Sequence, residues 1–479
     1  MKSRRRRLRS NVLKRARWGG LFALLAIRLT AQASPGLAQP CRIEVVDHES
    51  GWPVPLVELR TTHQLRFLTD NAGVIALDSP ELMGRETWFE VFGHGYEVPK
   101  DGLGMRGVRL TPEAGQTLRV TVNRTVIAKR LGRITGGGLF AESQKLGREL
   151  DWRESGVFGS DSVQIAWHHG RLFWLWGDTV VPDYPLGIFD SSSATTAGRP
   201  LASFEPPLRL KLDYFRGAAG KPRGVARMPG HGPTWLTAYV SLPDKSGTAR
   251  LVASYMKIQP PMAIDEWGLC VWNDTAENFE KLRTLWKKSE ATPKPPPVPD
   301  GHPAPWKDGD GKEWVLFGNP LPKLRCPATF EAWQDDATWE TLRPQESFAA
   351  ATSTNRVKPH SGSIAWNAFR KRWVTVFLEQ FGKPSAFGEI WYAEADAPTG
   401  PWGPAVKILS HDNYTFYNPR LHPEFTPEGS PILLFEGTYT RAFADHPPST
   451  PRYDYNQILY RLDLDSPALK PAFAKTEKN

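Results

Sequence analysis

The chain has 479 residues, 40% of them hydrophobic and 23% charged, which allows several domains with sizeable cores and excludes a disordered or fibrous chain. Its formal net charge is +9, but ten of the 60 basic residues and none of the 51 acidic ones lie in residues 1–33. The rest carries 50 against 51, a net charge of −1, so no whole-protein field remains to attract a polyanion, and no nucleic-acid partner is expected.

Residues 1–33 read as a signal peptide. A basic start (Lys2, Arg4 to Arg7, Arg9, Lys14, Arg15, Arg17) precedes a short apolar stretch, Gly19 to Ile27. Ala31-Gln32-Ala33 then offers a small-x-small cleavage site. The apolar stretch ends at Arg28, too short to span about 30 Å of hydrocarbon. The expectation is an exported protein, periplasmic, cell-surface or secreted, with no transmembrane segment in its mature form. Three cysteines, Cys41, Cys270 and Cys326, allow at most one disulfide, and no CxxC spacing points to zinc.

Beyond the leader, 43 prolines and 41 glycines punctuate short β-branched or aromatic runs, and long amphipathic helical patterns are nearly absent. The predicted class is all-β. A first domain is expected over residues 41–125, with strands at Arg42 to Val46, Leu56 to Arg60, Val74 to Leu77, Thr87 to Phe92 and Thr117 to Val122. Its runs SGWPVPLVEL, TDNAGVIAL and VFGHGY resemble the carboxypeptidase-regulatory-like, or transthyretin-like, β-sandwich, which implies a non-catalytic spacer or docking module. Residues 126–154 read as a linker, and the proline-rich stretch Ala291 to Pro303 as an extended connection.

Residues 155–470 contain a repeat. SDSVQIAWHHGRLFWLWGDT (160–179) superimposes on HSGSIAWNAFRKRWVTVFLEQ (360–380), and GHGPTW (230–235) matches GHPAPW (301–306). YNPRLHPEF (417–425) supplies a fifth member. Asp161, His231, His302, His360 and Asn418 then fall at equivalent places, 70, 71, 58 and 58 residues apart. Second strands align as FWLWGD, WVLFGN, WVTVFLE and ILLFEG. Five units of short strands predict a five-bladed β-propeller whose first strands line a central channel.

The first unit allows a sharper expectation. His169-Gly170 fits a two-residue turn, with glycine supplying positive φ. Paired residues then sum to 339, which sets Asp161 opposite Asp178 at the end of a ladder that is otherwise apolar: Val163/Trp176, Ile165/Trp174 and Trp167/Leu172. Two aspartates with Cβ atoms about 5 Å apart repel. Crowding raises one pKa, and the result is an acid and a base at neutral pH, or an edge that holds a cation. Glycoside hydrolysis needs that division, at carboxyl separations of about 5 Å for retention and about 6.5–9.5 Å for inversion.

Glu379 and Glu436 end second strands and are the candidates for a further catalytic carboxylate. His231, His302 and His360 would join Asp161 around the axis, binding sugar hydroxyls or a divalent cation in the channel. Asn418, Arg420, Tyr417, Tyr439 and Arg452 are candidate rim contacts, and Trp235, Trp306 and Trp366 candidate stacking faces for sugar rings.

GEIWYAEADAPTGPW (388–402) resembles the five-bladed propeller glycosidases of the arabinanase and β-xylosidase group. SDSVQIAWHHGRLFWLWGDT is similar to the start of the domain of unknown function 4185, which includes bacterial endo-D-arabinanases. That resemblance implies catalytic roles for Asp161 and Asp178. The expected function is an exported glycoside hydrolase acting on a polysaccharide or oligosaccharide; the alternative is a non-catalytic carbohydrate-binding or envelope scaffold protein.

Overall fold

The computed structural model describes residues 39–197 and 204–473. The predicted signal peptide and its cleavage site lie outside them. The molecule is nearly all β, and among the described residues no helix is long and apolar enough to cross a membrane.

Two four-stranded sheets form the first part. One orders Val74–Leu77, Cys41–Asp47, Thr117–Arg124 and Tyr96–Glu97; the other orders Arg66–Leu68, Glu58–Thr61, Thr87–Phe92 and Gly107–Leu110. Cys41–Asp47 shows why these residues make a strand with one inner face. Cys41, Ile43, Val45 and Asp47 are buried while Arg42, Glu44 and Val46 are half-buried, the period of two of a pleated strand. Ile43, Val45, Leu59, Phe89, Val91, Val120 and Val122 share one core between the sheets.

Five antiparallel four-stranded sheets follow. Sheet I comprises Gln164–His168, Arg171–Trp176, Ser192–Thr196 and Asp213–Tyr214; sheet II Thr234–Pro243, Ala249–Gln259, Ala263–Asn273 and Asn278–Lys287; sheet III Ala304–Lys307, Glu313–Gly318, Pro322–Pro327 and Glu340–Thr341. Sheet IV comprises Pro359–Asn367, Arg372–Glu379, Ile390–Ala395 and Val406–Leu409. Sheet V has Thr415–Leu421, Ile432–Thr440 and Asn456–Asp463, and takes its outer strand, Lys129–Arg133, from the chain before sheet I. The segment expected as a linker is thus in part a strand. Its pairing partner is remote, Arg130 lying opposite Tyr460.

Each sheet shares a core with the next, and the cycle closes. Phe173 and Leu175 meet Leu236 and Tyr239; Val252 and Leu269 meet Val315 and Phe317. Ala304 and Leu316 meet Ile364 and Trp373, and Val374 and Val376 meet Phe416 and Phe435. Finally Leu434 and Leu459 meet Ile165, Trp174 and Trp176. Cys41, Cys270 and Cys326 are buried and unpaired.

Lys129–Arg133 also fastens the first two sheets to sheet V. The buried Arg130 donates to the Tyr460 hydroxyl (3.0 Å), to the carbonyls of Pro55 (3.0 Å) and Leu56 (3.2 Å), and to that of His94. The Tyr453 hydroxyl donates to the Thr69 carbonyl at 2.7 Å, and the Arg133 guanidinium lies over its ring.

Candidate active site

The sheet I hairpin has a two-residue turn with positive φ at His169 (47°) and Gly170 (73°). This fixes the register, Gln164 opposite Leu175 and Ile165 opposite Trp174. At its open end Asp161 N donates to Asp178 O (3.3 Å) and Gly177 N to Asp161 O (2.9 Å), which makes the two aspartates cross-strand neighbours. Ser162, at φ 55°, bends the strand there. Beyond the bend, Gly159–Ser160 and Thr179–Val181 continue in a separate small sheet with Tyr184–Ile188.

The two carboxylates have different surroundings. The Asp161 carboxylate accepts the Tyr417 hydroxyl at 2.6 Å and is also bonded by Tyr455. It rests over Gly177, where an added Cβ would come within 2.3 Å of Oδ1. The Asp178 carboxylate accepts one bond, from Trp235 Nε1 at 2.8 Å. Burial, and then the charge of Asp161, push Asp178 up to about 7, against the Trp235 bond. Burial also raises Asp161, opposed by the two tyrosine hydroxyls.

A cavity of ≈ 220 Å³ opens beside Asp161. Gln164 of sheet I lines it with Ser162 and Gly177 beside that sheet's strands, Trp235 and Thr237 of sheet II, Asp300, His302 and Asn319 flanking the first two strands of sheet III, and Asn418 of sheet V. A second cavity, of ≈ 750 Å³, shares Trp235 as a wall and runs from Asp178 past Phe189, Asp190, His231 and Met262. Two buried polar atoms on the first cavity's lining residues, Gln164 Oε1 and His302 Nδ1, have no protein partner.

The expected residues divide. Asp161, Asp178, Tyr417, Asn418 and His302 come together, with His231 on the second cavity. Burial, with Arg420 and His422 nearby, holds His302 down to about 3, a neutral imidazole that can give or take a hydrogen bond. Asn418 does not begin a strand as expected; it sits at a bulge within Thr415–Leu421, and its amide reaches Ser162 Oγ at 2.7 Å. His360 is exposed, edge-on to Phe387, and lines neither cavity. The three histidines therefore do not assemble with Asp161 into a ligand set. Among the described residues, the one such group lies elsewhere.

Five further expectations change place. Arg420 is buried and bonded to Glu424 (2.5 Å), to His422 Nδ1 (3.0 Å) and to the Ile165 carbonyl (3.3 Å), so it braces the wall rather than lining the cavity. Glu436 lies in mid-strand, fully buried, with Oε1 3.0 Å from His422 Nε2. Glu379 is turned to Trp391, whose indole donates to it at 2.8 Å. Trp235 holds Asp178, while Trp366 sits at the far end of its strand beside the 368–371 turn.

Asp300, Gln164, Gly177 and Tyr455 were not anticipated. Asp300 had a signal, standing two residues before His302; its Oδ1 accepts from Thr237 Oγ1 (3.0 Å) and Gly301 N (2.7 Å). Tyr455 had none, because it arrives from a loop more than 270 residues from the hairpin.

No family model matches this chain, and no curated protein matches its sequence. Solved structures align with it at low identity. An exo-1,5-α-L-arabinanase from a bovine ruminal metagenomic library is 10% identical over 64% of this chain and 94% of its own, with a TM-score of 0.38. The native arabinanase of Bacillus subtilis is 10% identical over 63% and 93%, at 0.35. An N-acetylgalactosamine deacetylase from F. plautii is 9% identical over 65% and 91%, at 0.38.

Proposed function

We propose that the protein is a glycoside hydrolase acting on a polysaccharide or oligosaccharide, with Asp161 and Asp178 as its catalytic pair. The observation that carries this reading is the pair itself. Two aspartates are opposed across one hairpin, beside cavities that share a wall, in unlike surroundings. Asp178, protonated to about pH 7, gives its proton to the departing glycosidic oxygen. Asp161, whose ionised form the Tyr417 and Tyr455 hydroxyls favour against the pull of burial, attacks the anomeric carbon or takes the proton of the attacking water. Asp300 takes the third-carboxylate place expected of Glu379 or Glu436. His302, His231 and Asn418 meet sugar hydroxyls, while Tyr417 holds the Asp161 carboxylate.

In this reading sheets I to V are the blades of a five-bladed propeller, and the first two sheets a non-catalytic sandwich of the carboxypeptidase-regulatory-like kind. The basic leader directs export. The test is sugar release from a glycan panel by wild type, Asp161→Asn and Asp178→Asn. Each substitution is expected to lower kcat about 10²–10⁴-fold on the substrate found. No release from any glycan, or release untouched by both changes, overturns the reading; binding without turnover in all three proteins marks a carbohydrate-binding protein instead.

A further inference from the structure

The turn of the sheet I hairpin, at the opposite end from Asp161 and Asp178, carries a second cluster of chemistry-bearing side chains. His168 and His169 have ring centroids 3.9 Å apart. Asp274, from the turn between the last two strands of sheet II, faces both: His168 Nε2 lies 3.7 Å from its Oδ1, and His169 Nε2 lies 3.6 Å from its Oδ2. One ligand atom from each residue falls within 4.8 Å of the others. Separations of 3.6–3.7 Å are too long for hydrogen bonds. Each imidazole faces its own carboxylate oxygen at slightly more than the separation, about 3.3 Å, of two donors held about 2.0–2.1 Å from a zinc ion.

The surroundings aim these donors. His168 Nδ1 is 3.0 Å from Ser241 Oγ, which occupies that nitrogen and leaves Nε2 directed at Asp274. Trp272 Nε1 donates to Asp274 Oδ1 at 3.1 Å. The Asn273 side chain caps the loop by accepting from the amides of Thr275 (2.9 Å) and Ala276 (3.0 Å). Metal-binding imidazoles are held in this way, through the nitrogen that does not bind the metal. His168 is 3% exposed, against Phe173, whereas His169 and Asp274 are open to solvent and leave a side free for water.

We propose that His168, His169 and Asp274 bind one divalent transition-metal ion, of which Zn²⁺ is the type, and so tie sheet I to sheet II at the end remote from the carboxylate pair. Two imidazoles and one carboxylate suit Zn²⁺, Co²⁺, Ni²⁺ or Cu²⁺; Ca²⁺ and Mg²⁺ prefer oxygen sets. The site uses no residue of the glycosidase reading and stands or falls apart from it.

The test is titration of chelator-treated, untagged full chain with Co²⁺, followed by its visible absorption, and with Zn²⁺ in competition with a chromophoric chelator. One equivalent per chain is expected, at least about 100-fold weaker in Asp274→Asn and in His169→Asn. Asparagine tolerates the positive φ at 169, and far-UV circular dichroism checks that both variants fold. Zn²⁺ should raise the Tm of wild type and of the surface control His63→Gln, but not of the two variants. Absence of a stoichiometric equivalent, or one that persists unchanged in both variants, overturns the proposal.

Discussion

Asp178 keeps its proton to about pH 7 in the folded chain, because burial and then the Asp161 charge penalise the ionised form. The unfolded chain gives the same proton up near pH 3.9. Between about pH 4 and pH 7 the folded state therefore binds the additional proton, so this group's contribution is full below the window and is lost as pH rises through it. Asp178→Asn removes the penalty. Its Tm should exceed that of wild type at about pH 8, and the gap should close by about pH 4, as thermal unfolding across a pH series will read. Gly177 makes a different kind of prediction. Its φ is not positive, so alanine suits the backbone and the conflict is with Asp161 Oδ1, at 2.3 Å from the new Cβ. On the proposed glycosidase reading, Gly177→Ala should fold normally yet lose about 10²-fold in kcat, since a displaced Asp161 carboxylate is misaligned by roughly 1 Å. An unchanged kcat would mean that the carboxylate's resting place is immaterial.

At the scale of elements, the sheet I hairpin was legible because a two-residue turn with glycine leaves one register, and every later pairing follows from it. The ends of other second strands were not. Glu379 and Glu436 matched Asp178 by hydrophobic pattern, but bulges at Pro359/Ser361 and Tyr417/Arg420 shift the register, and Ile432–Thr440 runs four residues beyond Glu436. Pattern spacing does not show which way a side chain turns after a bulge. The closing strand Lys129–Arg133 was hidden for another reason. Its charged KRLGR sequence resembles a solvated linker, yet Arg130 and Arg133 are buried, with their guanidinium groups on carbonyls and tyrosine rings. Arg130→Met keeps the stem and leaves three carbonyls and a hydroxyl without their donor. The expected cost is about 3 kcal/mol or more in urea unfolding. A change under about 0.5 kcal/mol would show that water replaces the guanidinium.

Across the whole molecule, the five shared cores run from one sheet to the next and return to the first. The near-regular spacing of the repeat is the signal for five blades, which the proposed reading keeps. The fastening of the first two sheets was beyond reach, since Tyr453 meets Thr69 across 384 residues. With Arg130 and Tyr453 bonded across that boundary, calorimetry should record one unfolding transition; two resolved transitions would show that the parts melt independently. Sheet V, whose outer edge is made by residues translated before sheet I, also imposes an order on biosynthesis. A nascent chain stalled anywhere short of residue 456 holds residues 129–133 with no edge to join. A premature stop codon late in the message would then yield a gapped, protease-sensitive product with exposed strand edges, rather than a slightly shortened protein.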